Sequence, residues 1–592
     1  MSNAAATLPL TFERQAEHYD QRVFLREKRQ QHWHDHSWRE IADAAMRLRA
    51  GLKRRGITAG DRVAIIAENC PQWIIVDQAV LGLGAVVVPV FTTSSVGEID
   101  HVLNDSGARL IAAFGDHLVQ KVAAIHASTP AVEAIVAMHP EAASGRVDGL
   151  KLMTLAELTE AEAMPSIEAR RDDLATLIYT SGTTGASKGA MLSHGNILSN
   201  CDGNARVLNL DERDLAFSFL PMAHSFERTG NYYTVMTVGG TLAFAEGLTQ
   251  IAQNMLEVEP TVVLTVPRVL EIIYNRVMRT VAEASTARHK LFDLAIKTGT
   301  RAAYLRHHGR ALPPYLALAM MLFRRLVFQR IRGLFGSRLR YLIAGGAPLP
   351  IEINRLLCAA EVPLVEGYGL TEASPTVACN RHGHTRVGTV GQPLYNLEVK
   401  TAADGELLVR GPNVMKGYWG RQAETDEVID AGGWLHTGDI ARIDQENYIR
   451  ITDRKKEIIV LSGGKNVSPA HLEGRLQNDP FIAQACVVGD RRKHLAAIIV
   501  PNFENLGAEV NSLGIGDKPL SEVVADPRLK ALFQGHIRAF NQNVSDVEAI
   551  SAFTLIAQPF SQDNSELTPT LKLRRKVVQE HYRERIEAMY SG

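Results

Sequence analysis

Nine short apolar runs, separated by longer segments with helical spacing, limit most strongly what this chain can fold into. The runs are Arg62–Ala67, Ala85–Val90, Arg109–Phe114, Val132–Met138, Leu174–Thr180, Leu215–Leu220, Gly240–Ala245, Thr261–Val266 and Leu339–Ala344. Because runs of this length that alternate with helices are typical of strands buried on both faces, we expect mostly parallel sheets. The sequence therefore predicts an α/β fold in which helices cover both faces of these sheets.

One helix carries clear signals at both ends. Ser37 and Glu40 have the Ser-x-x-Glu spacing of a capping box, and Gly56 ends the pattern. Its apolar face is formed by Ile41, Ala45, Leu48 and Leu52. The sequence predicts an amphipathic helix from Trp38 to Arg55.

The chain is long enough for more than one domain, since 592 residues exceed the usual size of a single core. Residues 387–448 contain short strands punctuated by Gly, Pro, Asn and Asp, which indicates a β-rich subdomain. Residues 287–340 are predicted to form a long helical insertion. A basic connector predicts a boundary near Asp453, between a large domain (1–452) and a small mobile C-terminal α+β domain (453–592).

Charge and cysteine content exclude several classes of protein. Lys and Arg total 64 against 65 Asp and Glu, so the net charge is −1 and no nucleic-acid partner is expected. Five widely spaced cysteines without CxxC or zinc-finger spacing predict buried small side chains rather than disulfides or structural zinc. These are Cys70, Cys201, Cys358, Cys379 and Cys486.

The sequence shows no pattern of an export signal or a membrane span. The first residues lack a basic region followed by an apolar one. The most apolar stretch, Pro313–Phe323, is too short for the roughly 20 residues that a spanning helix needs. These observations predict a cytoplasmic protein.

The sharpest local motif is Tyr179–Gly189, with the sequence YTSGTTGASKG, which overlaps the end of an apolar run. Its glycines allow tight turns that aim backbone N–H groups inward, its hydroxyls add donors, and its lysine adds a positive charge. Such a loop between a strand and a helix suits a polyphosphate, although its spacing is not that of a Walker A motif. The predicted phosphate-binding residues are Thr180, Ser181, Gly182, Thr183, Thr184, Gly185 and Lys188. The alternative is a flexible surface loop.

Four further motifs follow this loop in a fixed order. They are Gly367-Tyr-Gly-Leu-Thr-Glu372, Gly433-Trp-Leu-His-Thr-Gly-Asp439, Asp453-Arg-Lys-Lys-Glu457 and Gly463-Gly-Lys-Asn466. With them, the chain from about Trp38 to Lys572 resembles the adenylate-forming enzymes. Within that superfamily it looks most like the long-chain acyl-CoA synthetases, because of residues 220–228, the helical insertion and the ending 567–575.

The resemblance implies a reaction in two steps. A carboxylate attacks the α-phosphate of ATP to give an acyl-adenylate and pyrophosphate, and the thiol of coenzyme A then displaces AMP. Bringing an anion to a polyanion requires positioning and charge neutralisation. The resemblance places Tyr368 against the adenine ring, with the pair 346–347 (Gly346 and Ala347) along its edge and Gly369 nearby. It places Thr371 at the α-phosphate, and Asp439 and Arg454 at the ribose.

The resemblance also implies a metal ion and a catalytic lysine. Glu372 would bind Mg²⁺, with the Thr180 hydroxyl as a second candidate, because Mg²⁺ prefers oxygen ligands. The lysine that stabilises the adenylation transition state in the family matches Lys572, and Lys576 and the neighbouring arginines are the competing positive charges. The predicted catalytic residues are Lys572, Glu372 and Thr371.

A C-terminal lysine that acts on the nucleotide implies that its domain moves. The resemblance places the hinge at Asp453 and the coenzyme A site at Gly463, Gly464 and Lys465. A swing about the hinge would withdraw Lys572 and bring the coenzyme A site into the cleft.

The acyl tail should be recognised by apolar burial, at about 0.8 kcal/mol per methylene group. Pocket depth, rather than a polar contact, should then decide the preferred chain length. His224 and Phe226, in the segment that matches the family's acyl-site motif, are the candidate substrate-binding residues. For His224, a capping or core role is an equal alternative.

The helical insertion is strongly basic. Residues 287–340 contain twelve Lys and Arg and one Asp, a net charge of +11 in a chain whose total is −1. Apolar residues recur there at helical spacing: Leu316, Met320, Leu322, Phe323, Val327, Phe328 and Ile331. Such a segment can lie on anionic lipid at the inner face of a membrane, but a helical apolar stripe can equally pack in the core. Peripheral membrane contact and a homodimer both stay open.

The predicted function is ATP-dependent activation of a long-chain fatty acid and its transfer to coenzyme A, with ATP, Mg²⁺ and coenzyme A as cofactors. One alternative keeps adenylation but delivers the acyl group to the phosphopantetheine of a carrier protein or to another nucleophile. The other alternative is a non-catalytic fatty-acid or adenylate-binding protein. Such a protein would not need the transition-state residues Glu372, Asp439 and Lys572.

Overall fold

In the residues that it describes, the computed structural model contains two large sheets and three small ones. The structure describes residues 7–139, 142–180, 186–307, 309–381, 385–463, 465–562, 564–568 and 572–591. In chain order the strands are β1 (Val23–Arg29), β2 (His32–Ser37), β3 (Arg62–Ile66), β4 (Val86–Val90), β5 (Leu110–Ala113), β6 (Ala134–Ala137), β7 (Gly145–Val147), β8 (Leu150–Thr154), β9 (Leu174–Thr180), β10 (Lys188–Ser193), β11 (Leu215–Ser218), β12 (Thr241–Phe244), β13 (Val262–Thr265), β14 (Tyr341–Ala344), β15 (Leu364–Gly369), β16 (Thr376–Cys379), β17 (Gln392–Pro393), β18 (Glu398–Thr401), β19 (Glu406–Arg410), β20 (Leu435–Ile443), β21 (Ile449–Arg454), β22 (Ile459–Val460), β23 (Asn466–Val467), β24 (Ile482–Val488), β25 (Leu495–Pro501) and β26 (Ile550–Leu555).

Helices separate most of the parallel strands. In chain order they are α1 (Leu8–Tyr19), α2 (Trp38–Arg54), α3 (Pro71–Gly82), α4 (Val96–Ser106), α5 (Asp116–Ala123), α6 (Leu155–Thr159), α7 (His194–Leu208), α8 (Ser225–Glu227), α9 (Thr234–Val238), α10 (Ile251–Val258), α11 (Pro267–Ala282), α12 (Thr286–His307), α13 (Pro314–Phe323), α14 (Gln329–Arg332), α15 (Ile351–Ala359), α16 (Gln422–Val428), α17 (Pro469–Leu476), α18 (Phe503–Ser512), α19 (Leu520–Val523), α20 (Pro527–Asn541), α21 (Arg575–His581) and α22 (Arg583–Tyr590). Two π-helical segments, Arg228–Tyr233 and Arg324–Phe328, continue α8 and α13.

The strand order brings the ends of parallel strands side by side. The nine-stranded sheet has the order β17-β16-β15-β14-β13-β11-β12-β1-β2, and the eight-stranded sheet has the order β10-β9-β4-β3-β5-β6-β8-β7. Pairing is parallel among β3 to β6 and from β12 through β11, β13 and β14 to β15. All nine apolar runs form strands of these sheets, which confirms the predicted α/β fold.

The predicted helix near residues 38–55 is α2, and its capping box is present. The Glu40 N–H donates to the Ser37 hydroxyl at 3.2 Å, and the Ser37 N–H donates to the Glu40 carboxylate at 2.7 Å. The apolar face of α2 is buried in the largest core, where Trp38 stacks on Phe24 with ring centroids 3.8 Å apart. Local sequence signals therefore placed this helix correctly.

The glycine-rich loop joins two strands, so the prediction that it leads from a strand into a helix was wrong. β9 ends at Thr180, β10 begins at Lys188, and the two strands pair antiparallel. Helix α7 follows only at His194, after a cap by Ser193. β10 forms because residues 188–193 place Ala190 and Leu192 in the core while pairing with β9.

The insertion is helical as predicted, but most of its predicted apolar stripe packs in the core. Leu316, Met320, Phe323, Phe328 and Ile331 are buried against strands of the nine-stranded sheet. Phe328 lies five positions after Phe323, and the π-helical turn between them keeps both on the buried face. The exposed apolar residues are instead Tyr315, Leu318, Met321, Leu322 and Leu326. No helix in the described part of the chain is both long and apolar enough to cross a bilayer.

The later residues form separate units. β18 to β21 make a four-stranded antiparallel sheet in the predicted β-rich region, and β24, β25 and β26 make a three-stranded sheet with its own cores. The boundary near Asp453 falls on β21 and stays a prediction. Of the five cysteines, Cys358 is only half-buried, because it lies near the end of α15.

Candidate active site

A cavity of about 810 Å³ lies between the large sheets and the C-terminal residues. Its polar wall comes from the end of β9, the start of β10 and the turn after β15. Its apolar wall includes Phe226, Gly230, Leu264, Ile343 and Val365. The last wall is formed by residues 568 and 572–574, which lie near the C-terminal end of the chain. Polar, apolar and C-terminal surfaces therefore meet in one space of a size typical for small-molecule sites.

The phosphate-loop prediction is only partly covered by the structure. Thr180 and Lys188 pair with one another across the hairpin, and both line the cavity. Ser181, Gly182, Thr183, Thr184 and Gly185 lie outside the described residues. The two described ends of the loop therefore lie at the cavity, and phosphate binding by the loop stays a prediction.

The end of β15 brings Tyr368 and Gly369 to the cavity wall. A side chain at Gly369 would lie 2.1 Å from the Pro375 carbonyl oxygen, so only glycine allows this close approach. The Tyr368 hydroxyl donates to Asp439 Oδ2 at 2.5 Å, and Arg454 Nε donates to Asp439 Oδ1 at 3.1 Å. Asp439 is buried, so these two donors offset its desolvation and fix the position of Tyr368.

The turn after β15 positions Thr371 and Glu372. Thr371 Oγ1 lies 3.1 Å from Ser225 Oγ, which ties the turn to the start of α8. Glu372 Oε1 accepts a hydrogen bond from the Tyr418 hydroxyl at 2.9 Å. Both Thr371 and Glu372 line the cavity.

The residues present fit the predicted Mg²⁺. In the described residues, no group of three or more His, Cys, Asp or Glu side chains could enclose a metal ion. Mg²⁺ does not need such a group, because it keeps several waters and is usually held by one or two carboxylates together with substrate phosphates. Glu372 would supply the carboxylate, with Thr180 on the same cavity wall.

Lys572 reaches the cavity from the C-terminal residues. Its backbone is held by Thr568, whose hydroxyl accepts the Lys572 N–H at 3.0 Å. The surrounding protein, and then repulsion from the Arg454 guanidinium, lowers the pKa of Lys572, although its side chain keeps accessible surface within the cavity. Lys572 forms no ion pair with any residue that the structure describes. Its charge is therefore available to a ligand. Lys576 is exposed on α21 and does not line the cavity.

An ion pair fixes the segment that carries Lys572. Arg574 donates to Glu98 at 2.5 Å, across 476 residues of sequence. Glu98 is also the acid of the capping box of α4, with its carboxylate accepting the Ser95 N–H at 2.9 Å. One carboxylate therefore both caps a helix of the large domain and holds the C-terminal segment against it.

His224 caps helix α8 and also lines the cavity. Its Nδ1 accepts the Phe226 N–H at 3.0 Å as the N-cap of α8, and its ring, like that of Phe226, forms part of the wall. Burial, and to a smaller extent the charge of Lys572, lowers the pKa of His224 to about 4. The imidazole is therefore neutral at neutral pH, as suits a wall next to an apolar pocket.

A buried ion pair holds the π-helical turn that continues α8, on the chain just after His224. Arg228, in the π-helical turn, pairs with Asp77 of α3 and donates to Thr176 of β9 at 2.8 Å. The Tyr233 hydroxyl donates to the same Asp77 carboxylate at 2.8 Å. Both charged side chains are fully buried, so the network links the turn after α8 to helix α3 and to the eight-stranded sheet.

Other predicted residues lie at or beyond the edge of the cavity. Gly346 lines it with φ +82°, whereas Ala347 is exposed and outside the wall. Asp453 lies in β21, next to Arg454. Gly463 and Lys465 do not line the cavity either, and Gly464 lies outside the described residues. Of the predicted coenzyme A residues that the structure describes, Gly463 and Lys465 are therefore not brought to the cavity that Lys572 lines.

Among the described residues that line the cavity, sequence reasoning missed Glu98, Tyr418 and Arg574, which hold other groups of the site in place. Tyr418 could have been noticed, because an aromatic pair between glycines, Gly417-Tyr-Trp-Gly420, is unusual in a loop. Glu98 and Arg574 carried no signal beyond a capping box and a run of basic residues.

Two families match the sequence. The AMP-binding enzyme family matches residues 12–419, and the AMP-binding enzyme C-terminal domain matches residues 456–592. A long-chain-fatty-acid–CoA ligase of Mycobacterium bovis is 36% identical over 94% of this chain and 93% of its own length. The peroxisomal long chain acyl-CoA synthetase 6 of Arabidopsis thaliana is 30% identical over 94% of this chain and 82% of its own.

Solved structures share the fold. The adenylation domain of a carboxylate reductase from Mycobacterium chelonae aligns with a TM-score of 0.80 at 24% identity, covering all of this chain and 92% of that one. An anthranilate CoA ligase in complex with anthranoyl-AMP aligns with a TM-score of 0.73 at 20% identity, covering 99% of this chain and 98% of that one. From its motifs, its cavity and these matches, we conclude that the chain belongs to the AMP-binding enzyme family.

Proposed function

We propose that this protein activates a long-chain fatty acid with ATP and transfers the acyl group to coenzyme A. One observation carries the proposal: Lys572 shares a single cavity with Thr180 and Lys188 of the phosphate loop and with a set of apolar side chains. The names of the relatives, long-chain-fatty-acid–CoA ligase and long chain acyl-CoA synthetase, agree with this combination.

In the first step a carboxylate oxygen of the fatty acid attacks the α-phosphorus of ATP. The bond to the bridging oxygen breaks, and pyrophosphate leaves. Lys572 and Lys188 stabilise the negative charge that gathers on the phosphate oxygens, because preorganised cations act strongly in a partly desolvated cavity. Bound Mg²⁺ would neutralise further phosphate charge beside Glu372. Tyr368, Gly346 and Gly369 position the adenine, and Asp439 with Arg454 holds the ribose.

In the second step the thiol of coenzyme A attacks the carbonyl carbon of the acyl-adenylate, and AMP leaves. For this step we propose a hinge at Asp453 that moves the C-terminal domain (453–592) relative to residues 1–452. The movement withdraws Lys572 and brings Gly463, Gly464 and Lys465 to the cavity. The half-exposed Arg574–Glu98 pair supports this idea, because such a contact can open at little cost.

The apolar wall around Phe226 holds the acyl chain, with His224 at the pocket entrance. Eight additional carbons would contribute on the order of 6 kcal/mol if the pocket reaches that far. A series of acids from C4 to C20, measured by pyrophosphate release, therefore tests the substrate class. A preference for the shortest acids would contradict the proposal.

Fatty-acid-dependent exchange between ATP and pyrophosphate separates an enzyme from a non-catalytic binder. Formation of acyl-CoA on addition of coenzyme A then separates the ligase from an enzyme that loads a carrier protein. Exchange without thioester formation would leave adenylation standing and overturn the proposed acceptor.

We also propose that the protein binds peripherally to anionic membranes through the exposed face of α13 and the turn that follows it. Leu318, Met321 and Leu322 are 65%, 60% and 55% exposed. Arg325 and Arg330 are exposed beside them and form no ion pair with a described residue. Exposed apolar side chains with free cations are complementary to an anionic lipid surface.

Vesicle pelleting at low salt tests this contact. We expect binding to vesicles that contain phosphatidylglycerol, and its loss in the double variant Leu318→Glu, Leu322→Glu. Leu520→Glu, at an apolar position of α19 that is 51% exposed, is the matched control and should still bind. Absence of binding by the unmodified protein would contradict the contact. A dimer that the double variant dissociates in analytical ultracentrifugation would instead assign this face to a second copy of the chain.

A further inference from the structure

Residues 415–419 lie as a strap across the phosphate-loop hairpin. Met191 N–H donates to the Gly417 carbonyl at 2.9 Å, and Trp419 N–H donates to the Gly189 carbonyl at 2.8 Å. At its other end, Met415 N–H donates to the Glu372 carbonyl at 2.9 Å. The strap therefore connects β10 with the turn that carries Glu372.

The backbone at the centre of the strap has little freedom. Gly417 has φ +130°, and a side chain there would lie 2.6 Å from the methyl group of Thr425. The Thr425 hydroxyl accepts the Tyr418 N–H at 2.9 Å. Because these contacts fix the backbone, they also fix the direction in which the Cα–Cβ bond of Tyr418 leaves it.

The Tyr418 side chain lies between a cation and a carboxylate of the cavity. Its hydroxyl donates to Glu372 Oε1 at 2.9 Å, and the Lys188 ammonium lies 5.2 Å from the centre of its ring. This distance is within the range of a cation–π contact. Among the residues described, neither Lys188 nor Glu372 forms an ion pair. A direct Lys188–Glu372 pair would neutralise both charges before a ligand arrives.

We propose that Tyr418 is a positioning residue of the nucleotide half of the site, which holds Glu372 and Lys188 in place while keeping their charges apart. The hydroxyl occupies one Glu372 oxygen and leaves the other for a divalent cation. The ring holds the Lys188 ammonium by a cation–π contact, in a position where it can bind a phosphate. This inference rests on the proposed role of Glu372, because a partner that orients a ligating carboxylate has a function only if that carboxylate binds the metal.

Calorimetry of ATP binding, performed without fatty acid over a range of Mg²⁺ concentrations, tests the inference in the absence of catalysis. Tyr418→Phe keeps the ring and removes the hydrogen bond. We expect the Mg²⁺ concentration for half-maximal stimulation of ATP binding to rise about 10-fold, since loss of such a partner costs roughly 10- to 100-fold in metal affinity. Binding of ATP without Mg²⁺ should not change. Tyr418→Leu, which also removes the ring, should weaken binding without Mg²⁺ as well.

Two further variants make the outcomes distinguishable. Tyr395→Phe removes a tyrosine hydroxyl that donates to Asp202 at the surface, and should behave as the unmodified protein. If Glu372→Gln shifts the Mg²⁺ dependence and Tyr418→Phe does not, the inference about Tyr418 is overturned. If Glu372→Gln itself causes no shift, the proposed metal role of Glu372 fails and that of Tyr418 with it. In the Glu372→Gln background, Tyr418→Phe should add no further shift.

Discussion

Two of the arginine–carboxylate pairs around the cavity differ strongly in burial. Arg228 and Asp77 keep 1% and 0% of their side-chain surface exposed, whereas Arg574 and Glu98 keep 23% and 30%. The first pair also binds Thr176 and Tyr233, so neither charge can be released without leaving polar groups unsatisfied. The second pair can exchange its partner for water.

The difference indicates which wall of the cavity is fixed and which can move. Arg228 ties the turn after α8 to the eight-stranded sheet, and the proposed mechanism keeps this contact in both reaction steps. Arg574 holds the segment with Lys572, which the proposed mechanism uses in the adenylation step alone. The buried Arg228–Asp77 pair therefore lies where the proposed mechanism needs a permanent contact, and the more exposed Arg574–Glu98 pair lies where it needs a reversible one.

The largest effect is expected from breaking the buried pair. Asp77→Asn leaves the Arg228 charge buried without a partner, so we expect the free energy of unfolding to fall by about 3–5 kcal/mol. Urea denaturation measures this loss. Asp202→Asn, in the exposed Arg206–Asp202 pair, is the control and should cost less than about 1 kcal/mol. Equal losses in the two variants would contradict the distinction between fixed and reversible pairs.

Removal of the Lys572 ammonium, the proposed catalytic group, should act on the adenylation step only. For Lys572→Ala we expect ATP–pyrophosphate exchange to fall by about 10²–10³-fold, the usual effect of losing one stabilising group at a transition state. Conversion of supplied acyl-adenylate to acyl-CoA should largely persist. Lys576→Ala, on the exposed face of α21, should change neither step. Loss of both steps in Lys572→Ala would contradict the assignment of this lysine to adenylation.

Local patterns in the sequence predicted most of the fold. The nine apolar runs became strands and Ser37 became a cap, because burial and capping depend on residues close in sequence. The family resemblance is likewise confirmed. The strand β10 was missed, since whether residues 188–193 pair with β9 depends on a neighbour across the hairpin and not on their own spacing.

The parts of the site that depend on distant residues could not be predicted. The Arg574–Glu98 pair joins positions 476 residues apart, and Tyr418 meets Glu372 only after two segments have packed on the hairpin. Similarly, the sequence showed an apolar stripe in the insertion but not which side of it would be covered. The roles of individual site residues stay predictions until ligands are bound.

Acid pH should lower the free energy of unfolding through two histidines, His194 and His224, that are neutral in the folded protein. Burial lowers the pKa of both His194 and His224 to about 4, below the usual 6.5. Between these values the unfolded chain binds protons that the native chain does not, so stability present above pH 6.5 is lost as the pH falls toward 4. Each such proton contributes at most about 1.4 kcal/mol per pH unit.

Urea denaturation at several pH values, with His194→Gln and His224→Gln, measures the two contributions. His194 is 1% exposed in the core. Its removal should therefore lower the number of protons taken up on unfolding by close to one, and the dependence of the free energy of unfolding on pH should fall accordingly. His224 has the same lowered pKa although it lines the cavity, so its removal should reduce the pH dependence by a similar amount. A clearly smaller effect at His224 than at His194 would show that water in the cavity solvates the charged imidazole.

The smallest effect is expected at the reversible pair, where the chain offers a matched control. Glu98→Gln removes the charge that Arg574 binds but keeps an acceptor for the Ser95 N–H, since glutamine also forms capping boxes. Glu40→Gln makes the same change in the capping box of α2, away from the cavity. We expect Glu98→Gln to slow adenylation up to about fivefold, corresponding to 1 kcal/mol or less, and Glu40→Gln to leave it unchanged. Because salt screens a half-exposed pair, the two variants should converge at high ionic strength. A loss in Glu98→Gln that salt does not reduce, or that extends equally to thioester formation, would mean that Glu98 serves the cavity itself rather than the docking of the Lys572 segment.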